Sequence, residues 1–175
     1  MTGFRAGERN RRTRSTDRFR VGLVILLLVF ADAYLLPSVV AGAWVPDLLL
    51  LSLLLLAIRQ TPGRAAVIGF VIGLVMDVLT PAHFGAGILA HVLVGWGAAW
   101  GRSVFFADNL FVNAALFVVG TWVRNLLVLV LSGTALPELL VQLTVWSPLQ
   151  GLSTAAVGIL VVILFRDWLA IRIDT

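Results

Sequence analysis

The sequence predicts an all-α integral membrane protein, a compact bundle of about six transmembrane helices, and three observations carry that expectation. Sixty per cent of the 175 residues are hydrophobic. Only 13% are charged, about half the share usual in soluble domains. Apolar segments recur at regular intervals, with Gly and Pro at the joints. Mean hydropathy is +1.02. A bilayer core needs roughly 20 apolar residues per crossing, so six helices with tight loops nearly exhaust the chain. No length remains for a soluble catalytic domain.

The elements follow in order. Residues 1–20 hold seven Arg, from Arg5 to Arg20, and few apolar residues. This reads as a solvated basic tail that fixes orientation, and it can also dock to anionic lipid. A cleaved signal peptide fits poorly, because the apolar stretch that follows is longer than a signal core and no small-x-small site stands out near Pro37. The first span covers about 21–38 and contains Asp32. Pro37 to Trp44 is either an outer loop or an extension of that helix past a Pro kink. The second span covers about 45–59, opening on Pro46-Asp47 and continuing almost wholly in Leu. Pro suits a first helical turn, and Asp beside it favours the positive end of the helix dipole. The third span covers about 64–80, the fourth 84–102, the fifth 108–131 and the sixth 148–166, with 167–175 as a C-terminal tail.

Core helices of soluble bundles are also apolar, but they carry a polar outer face at helical spacing. Leu48 to Leu56, with only Ser52 polar, has none.

Orientation comes from the bias of basic residues toward the cytoplasm. With the N-terminal tail inside, twelve Arg fall on the inner side and none in the outer loops Pro37–Trp44, Thr80–Phe84 and Ser132–Trp146. Only Arg124 lies within a span. Both termini are therefore expected in the cytoplasm. A sequence pI near 11.3 reflects this distribution and not nucleic-acid binding.

Gly69, Gly73 and Asp77 recur at i, i+4, i+8 and share one face of the third helix. Gly87, His91 and Gly95 repeat the spacing in the fourth. Small residues so placed permit close backbone approach, so these two helices are expected to form a tight hairpin. Ionisable groups inside spans are costly and face protein or water. Asp32, Asp77 and Arg124 all fall in the outer half of the bilayer under this topology. An ion-paired cluster is expected, Arg124 with Asp77 or failing that with Asp32, ahead of a proton path or of side chains that snorkel to headgroups.

Chemistry is not visible. Cysteine and lysine are absent, which excludes thiolate metal sites, a Cys nucleophile and a lysine phosphate loop. His83 and His91 lie eight apart with no carboxylate between them, and no Ser sits in a nucleophile-elbow context. No catalytic residue, metal or cofactor is expected.

One stretch resembles a known family. Val45-Pro46-Asp47-Leu48-Leu49-Leu50, then Gly69-Phe70-x-x-Gly73-x-x-x-Asp77-x-Leu79, then Gly85 after a small turn, is similar to the pattern of the MreD rod shape-determining proteins. The likeness covers Val45 to Gly95. Outside it only size, the basic tail and hydropathy agree, and Arg124 has no counterpart in the pattern. The resemblance implies a non-enzymatic component of the bacterial cell-elongation complex in the inner membrane. It implies work beside an MreC-like periplasmic scaffold, a SEDS transglycosylase with its class B penicillin-binding protein and, indirectly, actin-like MreB. It also implies a fold similar to the substrate-binding subunits of energy-coupling-factor transporters, an analogy that carries no function.

Three functional classes compete. A membrane scaffold or regulator is favoured. A vitamin-type binding subunit would need a water-accessible polar cavity, which only Asp32, Asp77 and Arg124 could line. An intramembrane enzyme would need a nucleophile paired with a base. Adjacency of the gene to an actin homologue, or to a vitamin pathway, separates the first two.

Overall fold

A computed structural model of the chain describes residues 22–35, 45–79, 81, 84–104 and 110–165. The basic tail, residues 37–44, His83 and the C-terminal tail lie outside the described residues. Six helices make up what is described, and no strand occurs among these residues. Helix α1 covers 22–35, its last five residues Ala31–Leu35 forming a wide π-helical turn. Then follow α2 (Leu48–Ala57), α3 (Pro62–Leu79), α4 (Ala86–Val104) and α5 (Leu110–Leu131). Helix α6 (Leu136–Leu164) is continuous through a second π-helical turn at Gln142–Trp146.

Helices α3, α5 and α6 are each long and apolar enough to cross a membrane. Their outward faces are apolar too: Val67, Val71, Val78, Phe111 and Leu160 are all more than half exposed. In water such continuous apolar surface is an aggregation liability; against lipid tails it is the expected exterior. The chain is a membrane protein by this surface as well as by its composition.

Helix α2 is the centre of the bundle. At 1.5 Å per residue its ten residues span about 15 Å, half of a bilayer core about 30 Å thick. Leu49, Leu50, Leu51, Leu53 and Leu54 are all at most 1% exposed. Helices α3, α4, α5 and α6 all pack on it. A helix apolar on every side has no water-facing side, but that composition does not distinguish lipid from protein. Here protein covers it. Its length is also shorter than the expected 45–59 span.

Helices α3 and α4 form the closest pair. A Cβ on Gly69 would fall on the His91 carbonyl, and one on Gly73 would come 2.6 Å from the Ile88 Cα. Gly95 lies against the Ala65 carbonyl in the same way. The small faces of the two helices therefore meet backbone to backbone. Helix α1 is held by a narrower stripe, with Val24 and Leu28 buried one turn apart and Asp32 a turn further on.

The expected outer loop Ser132–Trp146 is mostly helix. Ser132–Ala135 makes the turn, with Gly133 in the left-handed region at φ 68°, and Pro137 sits in the first turn of α6, where its missing N–H costs nothing. Pro148 does not end the helix. Its ring and absent N–H are accommodated by the wide turn before it, in which the Ser147 N–H reaches back five residues to the Gln142 carbonyl. Helices α5 and α6 run antiparallel, with Asn125 bonded to Ser147 and Gln150. Leu136–Val141 contains no buried residue.

Candidate functional site

A short helix that begins inside protein leaves backbone N–H groups in need of acceptors. The start of α2 meets that need with carboxylates. Asp47, its N-cap, accepts the Leu50 N–H through Oδ1 at 2.7 Å. Asp32, brought in by the π-turn of α1, accepts the Leu48 N–H at 2.9 Å. The Asp47 N–H itself donates to Thr154 Oγ1 of α6 at 3.0 Å. Both acids lie at the positive end of the α2 dipole.

Two carboxylates in a buried setting also call for a cation. Arg124 of α5 supplies it: its Nη2 forms an ion pair with Asp47 Oδ2, and both side chains are at least nine-tenths buried. Asp32 is close enough to Arg124 to interact with it electrostatically. The network continues outward. Arg124 Nη1 donates to Asn125 Oδ1 at 2.8 Å, Asn125 Nδ2 donates to Ser147 Oγ and to Gln150 Oε1, and Gln150 Nε2 donates to the Val45 carbonyl. Helices α1, α2, α5 and α6 are thus tied together around one buried guanidinium. Gly120, one turn before Arg124, lets the Leu54 methyls of α2 close on α5, since a Cβ there would come 2.9 Å from Leu54 Cδ1.

The expected pairing of Arg124 with Asp77 is corrected. Asp77 lies buried on the glycine face of α3, but its oxygens are engaged elsewhere. Oδ2 accepts the N–H groups of Gly85 and Ile88 at 2.7 and 3.1 Å, and Oδ1 accepts that of Gly87 at 3.1 Å. A carboxylate in the last turn of one helix thereby caps the first turn of the next. Gly85 closes the connection at φ 103°, a conformation that side chains rarely adopt. Gly87 has to be small for a second reason, because a Cβ there would run into the Asp77 carboxylate.

His91 is fully buried, its Nδ1 2.7 Å from the Gly87 carbonyl. Phe70 is half exposed on the far side of α3, and Pro46 is half-buried beside Asp47. Among the described residues no group of three or more His, Cys, Asp or Glu could hold a metal. What the site can do chemically is hold charge and polarity inside an apolar bundle in a fixed arrangement.

The sequence marks Asp47 as a helix start and not as a partner for Arg124, and it does not single out Ser147, Gln150 or Thr154 as members of the network. A signal for the last three existed. They fall at i, i+3 and i+7, one polar stripe on an otherwise apolar α6.

Among curated proteins and among solved structures no match was found. A family model described as rod shape-determining protein MreD matches residues 13–169, most of the chain. It takes in α1 to α6 together with both halves of the buried network. This chain belongs to the MreD family of rod shape-determining membrane proteins.

Proposed function

We propose that the protein is a non-enzymatic scaffold or regulator of the bacterial cell-elongation complex, acting by binding partner membrane proteins. Family membership gives it a part in rod-shape determination and a place in the membrane; the binding role is our reading. The observation that carries it is the first part of α6. From Leu136 to Trp146 this stretch is helical and mostly apolar, and none of its residues is buried, with Leu136 74% exposed. An apolar helix end that its own bundle leaves uncovered is a natural seat for another protein. The buried acids and the buried Arg of the described residues, by contrast, are engaged by helix N-termini and by each other.

The orientation belongs to the same proposal. Arg59 and Arg64 flank the short connection between α2 and α3, whereas the α3–α4 and α5–α6 connections contain no Arg or Lys. The basic-residue bias then puts the N and C termini in the cytoplasm of a multi-pass inner-membrane protein. The Leu136–Trp146 arm faces the periplasm. An MreC-like periplasmic scaffold is the partner assigned to the arm or to the Thr80–Gly85 turn. The SEDS transglycosylase and its class B penicillin-binding protein are further partners, with actin-like MreB coupled indirectly.

The test is depletion in a rod-shaped host, then complementation with the parent and with a Leu136→Ser/Leu140→Ser/Val141→Ser variant. Cells that round up on depletion, are rescued by the parent alone, and lose MreC co-purification with the membrane-resident variant support the proposal. Normal rods on depletion together with a vitamin-uptake defect would hand the chain to the transport reading.

A further inference from the structure

Helix α6 changes character at Pro148. From Ser147 onward it is fixed to the bundle: Ser147 and Gln150 accept from the Asn125 amide, and Thr154 accepts the Asp47 N–H. Before that point, none of Leu136–Trp146 is buried. The backbone that joins the two halves is short of a donor. In an α-helix the Leu143 carbonyl would receive the N–H of Ser147, and in a π-turn that of residue 148. Here the Ser147 N–H is given to Gln142, and residue 148 is a proline with no N–H. Neither donor reaches Leu143.

A backbone carbonyl left unpaired in an apolar setting is costly, and a side chain from another helix answers it. Trp122 of α5 donates its Nε1–H to the Leu143 carbonyl at 3.1 Å. An indole N–H can only donate, and among apolar surroundings it needs an acceptor as much as the carbonyl needs a donor. The bond lies at the protein surface, so it can open without unpacking the core. We propose that the π-turn before Pro148 is a hinge for the Leu136–Trp146 arm, and that Trp122 is the latch that holds the arm to α5. With the bond open, the arm pivots about the turn while Ser147–Leu164 stays on the bundle. What the movement serves, presentation of the apolar arm to a partner, rests on the partner reading above; the hinge and its latch do not.

The test needs no partner. Hydrogen–deuterium exchange of the full-length protein in phospholipid nanodiscs is followed by mass spectrometry over residues 136–146 and 151–164. Trp122→Phe keeps an aromatic ring and removes the N–H. Exchange of the arm should rise roughly 2- to 10-fold, the factor that one net hydrogen bond sets on a local opening equilibrium, with 151–164 unchanged. Pro148→Ala supplies the missing backbone donor. Alone it should slow exchange of the arm, and in its presence Trp122→Phe should have little further effect. Unchanged exchange in Trp122→Phe, or an equal rise with and without Pro148→Ala, overturns the latch. If Trp122→Phe does not fold, Pro148→Ala decides, and arm exchange as fast as in the parent overturns the proposal. Parent-like exchange in Trp122→Phe, beside loss of MreC co-purification in the Leu136→Ser/Leu140→Ser/Val141→Ser variant, would remove the latch and leave the partner reading standing.

Discussion

Replacing Asp47 by Leu removes two things at once: the acceptor for the Leu50 N–H and the partner of Arg124. Losing an N-cap carboxylate costs about 0.5–2 kcal/mol. Stranding one member of a buried ion pair costs about 3–5 kcal/mol, and an unpaired guanidinium within a span costs about 2.5–3.5 kcal/mol on insertion scales. Because Asp32 remains near Arg124 and retains the Leu48 N–H, the lower end applies. Asp47→Leu should therefore destabilise by about 4 kcal/mol. Exchanging a whole buried pair for apolar residues is often neutral or better. Asp47→Leu/Arg124→Leu should then recover about 3 kcal/mol, leaving mainly the cap penalty. The assay is thermal unfolding in detergent, followed as loss of the monodisperse peak in fluorescence-detected size-exclusion chromatography. At about 2–4 °C per kcal/mol for a chain of this size, the single variant should melt roughly 8–16 °C below the parent and the double variant within a few degrees of it. A single variant as stable as the parent, or a double variant no better than the worse single, would refute the pairing as the reason for these residues.

Three further outcomes follow from the geometry. Asp77→Ala should lose about 4.5 kcal/mol or more, because charged hydrogen bonds are worth about 1.5–3 kcal/mol each and three are removed; Asp77→Asn should fall between Ala and parent in the same melting assay. Gly69→Val or Gly73→Leu should force α3 from α4 at a cost of about 1–3 kcal/mol or more, read as reduced membrane accumulation, while Gly63→Ala, where a Cβ has open space, should accumulate as the parent does. Reporter fusions at Gly133 and at Arg64 should give periplasmic and cytoplasmic signals respectively, and one signal from both sites contradicts the orientation.

Much of the architecture was legible because it rests on composition and punctuation. Pro46-Asp47 marks a helix start by the N-terminal preferences of both residues, and Asp47 is that N-cap. The repeat of Gly and Asp77 marks the inward face of α3, and Asp77 is buried there. What stayed hidden was depth. A span of ordinary length would set Asp47 at the membrane surface, out of reach of Arg124. The actual helix is ten residues long, and its start is buried within the protein beside Arg124. Nothing in an unbroken Leu run announces where the helix sits along the membrane normal. The role of Asp77 was hidden for a related reason: a carboxylate on an inward face can serve a cation or a helix N-terminus, and only the return of the chain through Gly85 decides between them. The continuity of α6 was missed because Pro148 reads as a boundary, and a π-turn that absorbs a proline has no sequence signature of its own.

The enclosed position of α2 has a consequence for biosynthesis. Its ten residues are too few to be held in lipid as a conventional span, and the acids at its start have no cation of their own. The residue that neutralises them follows 77 positions later in the chain. At bacterial-type elongation rates of roughly 5–20 residues per second, that interval lasts roughly 4–15 s. During it the nascent segment from Asp47 to Ala57 is left without its final environment. The insertion machinery, or a chaperone beside it, must shelter this half-length helix until α5 emerges and Arg124 locks it in place.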